Sequence, residues 1–103
     1  MPKGALAMLV LRVLQPGPMH GYAIAQRIRQ ISNEVLEAEE GSLYPALQRL
    51  LLEGWAEAEW GSSETGRKVR FYKLTREGRK QLEREVADYE QVTAAIQAIL
   101  RTA

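Results

Sequence analysis

Apolar residues recur with helical spacing in four stretches of the chain and alternate with polar ones in a fifth. Leu6, Leu9, Val10, Val13 and Leu14 follow an i, i+3, i+4, i+7, i+8 pattern, which is one face of a helix. After the break at Pro16-Gly17-Pro18, Ile24, Ile28 and Ile31 repeat at four and three residues, with Gln26, Arg27, Arg29 and Gln30 on other faces. This spacing predicts a second amphipathic helix of about three turns. Leu43, Leu47, Leu50 and Leu51 give a third stripe behind the break at Glu40-Gly41-Ser42. Ser42 is placed as its N-cap, because a hydroxyl there accepts from an unpaired first-turn amide. Pro45 then falls in the first turn, where its missing N–H costs nothing. Gly54 stands where that helix should stop.

The period then changes. Trp55 to Trp60 partly alternates Trp and Ala with Glu, and Val69 to Leu74 is rich in β-branched and aromatic residues. The polar stretch Gly61 to Gly66 between them predicts a hairpin with a long, flexible tip. Thr75 can cap a final helix. In that helix Leu82, Val86, Tyr89, Thr93, Ile96 and Leu100 are spaced 4, 3, 4, 3, 4, a heptad seam that Val92 and Ile99 widen.

Helix, helix, helix, hairpin and long helix make a mainly α (α+β) fold, a winged helix-turn-helix with a two-stranded wing and a long C-terminal helix. Residues 1–75 are assigned to the winged-helix part and 76–103 to the C-terminal dimerisation helix. The seam is more than so small a chain can cover, and exposed stripes of this kind are rare on monomers. A homodimer is therefore expected through Leu82, Val86, Tyr89, Val92, Thr93, Ile96, Ile99 and Leu100; the alternative is that the stripe folds back on the first helix as core. A two-fold dimer doubles the third helix and the wing, and predicts a palindromic target if that target is DNA.

Composition narrows the classes. The chain has 103 residues, 46% hydrophobic and 26% charged, with no cysteine and one histidine, which is room for one core. No disulfide framework or thiolate metal site is available. No apolar run reaches the roughly 18 residues of a membrane span, and the apolar stretch 5–14 holds Arg12 and lacks a signal-peptide cleavage pattern. The reading is a cytoplasmic protein with no membrane segment and no cofactor. Catalysis finds no footing. Ser62, Ser63 and Thr65 have no base in a set relation to them, and His20 is better placed to cap the second helix. Glu37, Glu39 and Glu40 read as a solvated acidic loop rather than a metal site.

Charge is unevenly laid out although the net is +1. Residues 34–66 hold eight Glu against Arg49, whereas 67–80 hold Arg67, Lys68, Arg70, Lys73, Arg76, Arg79 and Lys80 against Glu77. Such a basic cluster suits a polyanion. With the third helix packed by its leucines, Ser42, Tyr44, Pro45, Gln48 and Arg49 face outward, in the position of a recognition helix in the major groove. Gln48 can read adenine and Arg49 guanine or phosphate. With only one base on that helix, the affinity must come from the wing, through Arg67, Lys68 and Arg70, with Lys3 and Tyr22 as further candidates. Double-stranded DNA is thus the expected partner. A winged-helix protein-interaction module without DNA binding is the alternative, and the acid-rich run at 34–40 favours it.

The residues also carry a resemblance. His20-Gly21-Tyr22, then Glu40-Gly41-Ser42-Leu43-Tyr44-Pro45-Ala46-Leu47-Gln48-Arg49-Leu50, then Glu53-Gly54-Trp55, and finally Arg70-Phe71-Tyr72-Lys73-Leu74-Thr75 leading to Gly78-Arg79 resemble the PadR-like family of bacterial transcriptional regulators. The stretch Ala56 to Gly61 is similar to the acidobacterial-type branch of that family. The resemblance implies a dimeric repressor in which Ser42, Tyr44 and the basic wing meet DNA. The short chain is similar to the compact branch with a single C-terminal helix. Some compact relatives bind flat aromatic drugs or phenolic acids at the dimer interface, so the resemblance admits a small hydrophobic or aromatic effector. Tyr89 is the only aromatic on the seam, and no effector is assigned.

Overall fold

The structure is a computed structural model and describes residues 4–102. Its elements run α1 (Ala5–Val13), β1 (Met19–His20), α2 (Gly21–Ile31), α3 (Glu40–Leu52), β2 (Ala56–Ser62), β3 (Lys68–Leu74) and α4 (Arg76–Leu100). The three strands form one antiparallel sheet in the order β1-β3-β2. The wing is therefore not two-stranded at its base. Met19 and His20 pair with Tyr72 and Phe71 and cover the inner edge of β3, an edge that would otherwise offer unpaired backbone groups. Two residues are too few to show an alternation, so nothing in the apolar pattern announces this strand.

The core joins all four helices to the sheet. Leu11, Leu14, Ile24, Leu43, Leu47, Leu50 and Val10 are almost wholly buried, and each such aliphatic side chain contributes about 1.5–3 kcal/mol by leaving water. On α2 and α3 the inward residues are those the spacing predicts, except that Ile31 is exposed and Leu51 only half-buried. On α1 the face is rotated. Ala7, Val10, Leu11 and Leu14 are buried, while Leu6, Leu9 and Val13 pack at its margin. The segment is apolar on nearly every side, so its spacing cannot select one face.

The start of α3 also differs from expectation. The helix begins at Glu40, with Glu39 as an N-cap that makes no side-chain capping bond. The Glu39 carbonyl accepts from the amides of Ser42 and Leu43 at 3.0 and 2.8 Å, so backbone alone closes the turn. Glu40 sits in the first turn, where its charge suits the positive end of the helix. Ser42 is consequently a helical residue and not the cap, and Pro45 lies inside the helix. Pro45 offers no N–H to the carbonyl of Gly41, and Gly41 is exposed, so water can take that carbonyl.

Other signals hold. His20 caps α2, its Nδ1 accepting from the Ala23 amide at 3.3 Å. Thr75 caps α4, its Oγ1 accepting from the Gly78 amide at 3.0 Å and donating to the Gly54 carbonyl at 2.7 Å. Gly78 then passes so close to the Trp55 carbonyl that any side chain would collide with backbone. The first turns of α4 are in this way fastened to the turn between α3 and β2. Beyond them α4 packs on α1 and runs out of the body. Its 25 residues span about 38 Å. The molecule accordingly measures 57 × 29 × 23 Å, with a radius of gyration of 15.1 Å, against about 13 Å for a compact domain of this length.

Candidate nucleic-acid interface

With Leu43, Leu47 and Leu50 turned inward, α3 presents Ser42, Tyr44, Pro45, Gln48 and Arg49 to solvent. Along its outer side Gly41, Pro45, Gln48 and Leu52 follow one another at helical spacing, and Leu52 is 78% exposed. The spacing alone does not single out Leu52, because three consecutive leucines, Leu50 to Leu52, can each be threaded onto a core stripe with a small shift in phase. Tyr44 leans off this row toward α2. Its ring lies against the backbone of Gly21, at a distance that a Cβ on residue 21 would reduce to 2.8 Å from the hydroxyl oxygen. Tyr44 therefore has a packing task as well as an exposed edge. Tyr22 is exposed on the first turn of α2, where its hydroxyl accepts from Gln26 Nε2 at 3.0 Å. Arg49 leans the other way, its guanidinium 5.6 Å from the centre of the Trp55 ring.

The tip of the wing carries hydrogen bonds of its own. β2 and β3 stay in register from Ala56 opposite Leu74 to Ser62 opposite Lys68. The Ser63 amide donates to the Arg67 carbonyl at 2.8 Å, and the Arg67 amide donates to Ser63 Oγ at 3.2 Å. The tip is thus closed by its own hydrogen bonds, and Arg67 projects from a fixed turn. Lys68 and Arg70 follow on one face of β3. Among the described residues the ion pairs join Arg29 to Glu34 and Lys80 to Glu77, and neither engages Arg67, Lys68 or Arg70. A groove of about 680 Å³ separates the wing from the start of α2, with Tyr22, Gln26, Ser63, Arg67, Lys68 and Phe71 among its walls. The fold therefore brings Tyr22 of the second helix beside the wing cations, across some forty-five residues of sequence. Lys3 lies outside the described residues.

The seam on α4 divides. Leu82 is 3% exposed, and Val86 packs against the same core. Leu82 thus belongs to the chain's own interior rather than to an exposed seam, and Val86 is half-buried against the same core. Thr93 is half-buried, whereas Tyr89, Val92, Ile96, Ile99 and Leu100 are exposed. No helix among the described residues is long and apolar enough to cross a membrane.

Comparison with known proteins agrees with this arrangement. The model of the transcriptional regulator PadR-like family matches residues 10–84. The chain is 30% identical over 94 residues to an uncharacterized protein of Lysinibacillus sphaericus, a match that covers 91% of this chain and 86% of that one. A transcriptional regulator from Clostridium thermocellum has a similar structure, with a TM-score of 0.88 at 27% identity, covering 96% of each chain. A PadR family transcriptional regulator from Eggerthella lenta gives a TM-score of 0.81 at 28% identity, covering 98% of this chain and 86% of its own.

Proposed function

The chain belongs to the PadR-like family of transcriptional regulators, and from that premise we propose that it is a homodimeric repressor of a palindromic operator in cytoplasmic DNA. α3 enters the major groove with Ser42, Pro45 and Gln48 toward the bases. Tyr22, Tyr44 and Arg49 flank it, and Arg67, Lys68 and Arg70 hold the backbone or the adjacent minor groove. The observation that carries this reading is the wing's three exposed cations, which lie outside both ion pairs of the described residues. α3 itself has one base and three acids at or just before its start, so attraction to a polyanion falls to the wing.

The second copy is seated on the distal part of α4, residues 89–100, where five large apolar side chains are exposed. The division of the chain at residue 75 is one of task rather than of folding, because the first turns of α4 complete the core. No effector enters this reading.

Titration onto the intergenic duplex upstream of its own reading frame, at two salt concentrations and against a scrambled duplex, tests it. Three or four phosphate contacts per protomer give a slope of log affinity against log salt on the order of −6. Arg67→Ala with Lys68→Ala flattens that slope by roughly 0.9 for each phosphate no longer neutralised. An unchanged slope removes the wing from the interface. No binding to either duplex at low salt moves the function to a protein-interaction module.

A further inference from the structure

Trp60 is the largest side chain on the wing and is 62% exposed. It occupies the same sheet face as Ala56 and Ala58, whose inner part is closed by the buried Tyr72. The ladder pairs Trp60 with Arg70 and Ser62 with Lys68. Two cations therefore lie beside one indole, with Lys68 Nζ 5.4 Å and Arg70 Cζ 5.9 Å from the ring centre. Arg70 is also 5.9 Å from the Tyr72 ring. Cations at this range are drawn to the negative face of an aromatic ring. Neither cation is in the ion pairs of the described residues, so the ring orients them and leaves their charge uncompensated. The result is an apolar plate with two positive charges beside it, both carried by β3.

Such a plate has a definite complement. A nucleic-acid strand alternates anionic phosphates with apolar sugar and base edges, and aromatic rings among bases are a recurring way of holding it. An acidic peptide would answer the cations and leave the indole in water. We propose that Trp60 is a DNA-contacting residue, its ring lying on the sugar and base edges of the minor groove while Lys68 and Arg70 beside it take neighbouring phosphates. The inference rests on the DNA-binding reading above and adds to it an apolar interaction whose strength does not depend on salt.

The experiment uses the full chain and the upstream intergenic duplex. Trp60→Ala weakens binding by about tenfold at each salt concentration and leaves the salt slope as in the parent, because every phosphate keeps its cation. The chain has two tryptophans, so in a Trp55→Phe background Trp60 is the sole emitter. Duplex shields it from acrylamide quenching there. Affinity within twofold of the parent overturns the inference, as does an indole that stays unshielded. A weakening accompanied by a flatter slope also overturns it, since Trp60 then only positions the two cations. If the parent binds no duplex at low salt, the DNA-binding reading fails and takes the Trp60 proposal with it. If the parent binds and Trp60 responds in neither assay, only the Trp60 proposal fails.

Discussion

The two halves of α4 carry one continuous apolar spacing and meet opposite surroundings. In the first half Thr75 caps the helix, Gly78 rides on the Trp55 carbonyl, Leu82 lies in the core and Val86 packs against it. In the second half the same spacing delivers Tyr89, Val92, Ile96, Ile99 and Leu100 to solvent. The helix does not change, and its neighbours do, because α1 is nine residues long and α4 is 25. A periodic stripe tells which residues share a face. What covers that face is decided by the length of the element lying opposite.

Substitutions on either side of this divide should behave differently. The largest effect belongs to Leu82→Ala, which opens a cavity in the interior and costs about 2–5 kcal/mol of stability. Chemical denaturation should show that loss at every protein concentration. Thr75→Ala comes next. It removes the acceptor of the Gly78 amide and the donor to the Gly54 carbonyl, at about 1 kcal/mol, and lowers the melting temperature by roughly 4–8 °C. The smallest effect on the folded chain is that of Ile96→Asp, under about 0.5 kcal/mol in dilute samples. Its mark is instead on assembly: analytical ultracentrifugation should find a monomer where the parent sediments as a dimer. A loss for Ile96→Asp as large as that of Leu82→Ala, and independent of concentration, would erase the distinction between the two halves.

Much of the architecture is legible in the chain because its punctuation is strong. His20 and Thr75 are caps by residue type and position, and Gly54 ends α3. The leucine stripe of α3 marks Leu43, Leu47 and Leu50 as its inward face, and only the run Leu50 to Leu52 blurs its edge. α1 is apolar almost all round and gives no phase, so its spacing leaves out the buried Leu11 and favours the marginal Leu6, Leu9 and Val13. β1 is too short to have a period. The true start of α3 depends on a backbone cap at Glu39, which leaves no mark in residue identity. The candidate interface divides in the same manner. The wing cations stand out as a charge cluster, whereas the setting of Trp60 exists only once the hairpin ladder puts residues 60, 68 and 70 on one face.

The Tyr44 ring resting on Gly21 has a kinetic consequence. A helix pair free to hinge would offer a duplex many relative orientations, and productive encounters would wait on the rare suitable one. Here the Tyr44 ring packs against the Gly21 backbone, a contact that resists such hinging between α2 and α3. Association is then governed by collision and by steering toward the cationic wing. Its observed rate should climb in proportion to duplex concentration, with no plateau from a preceding isomerisation.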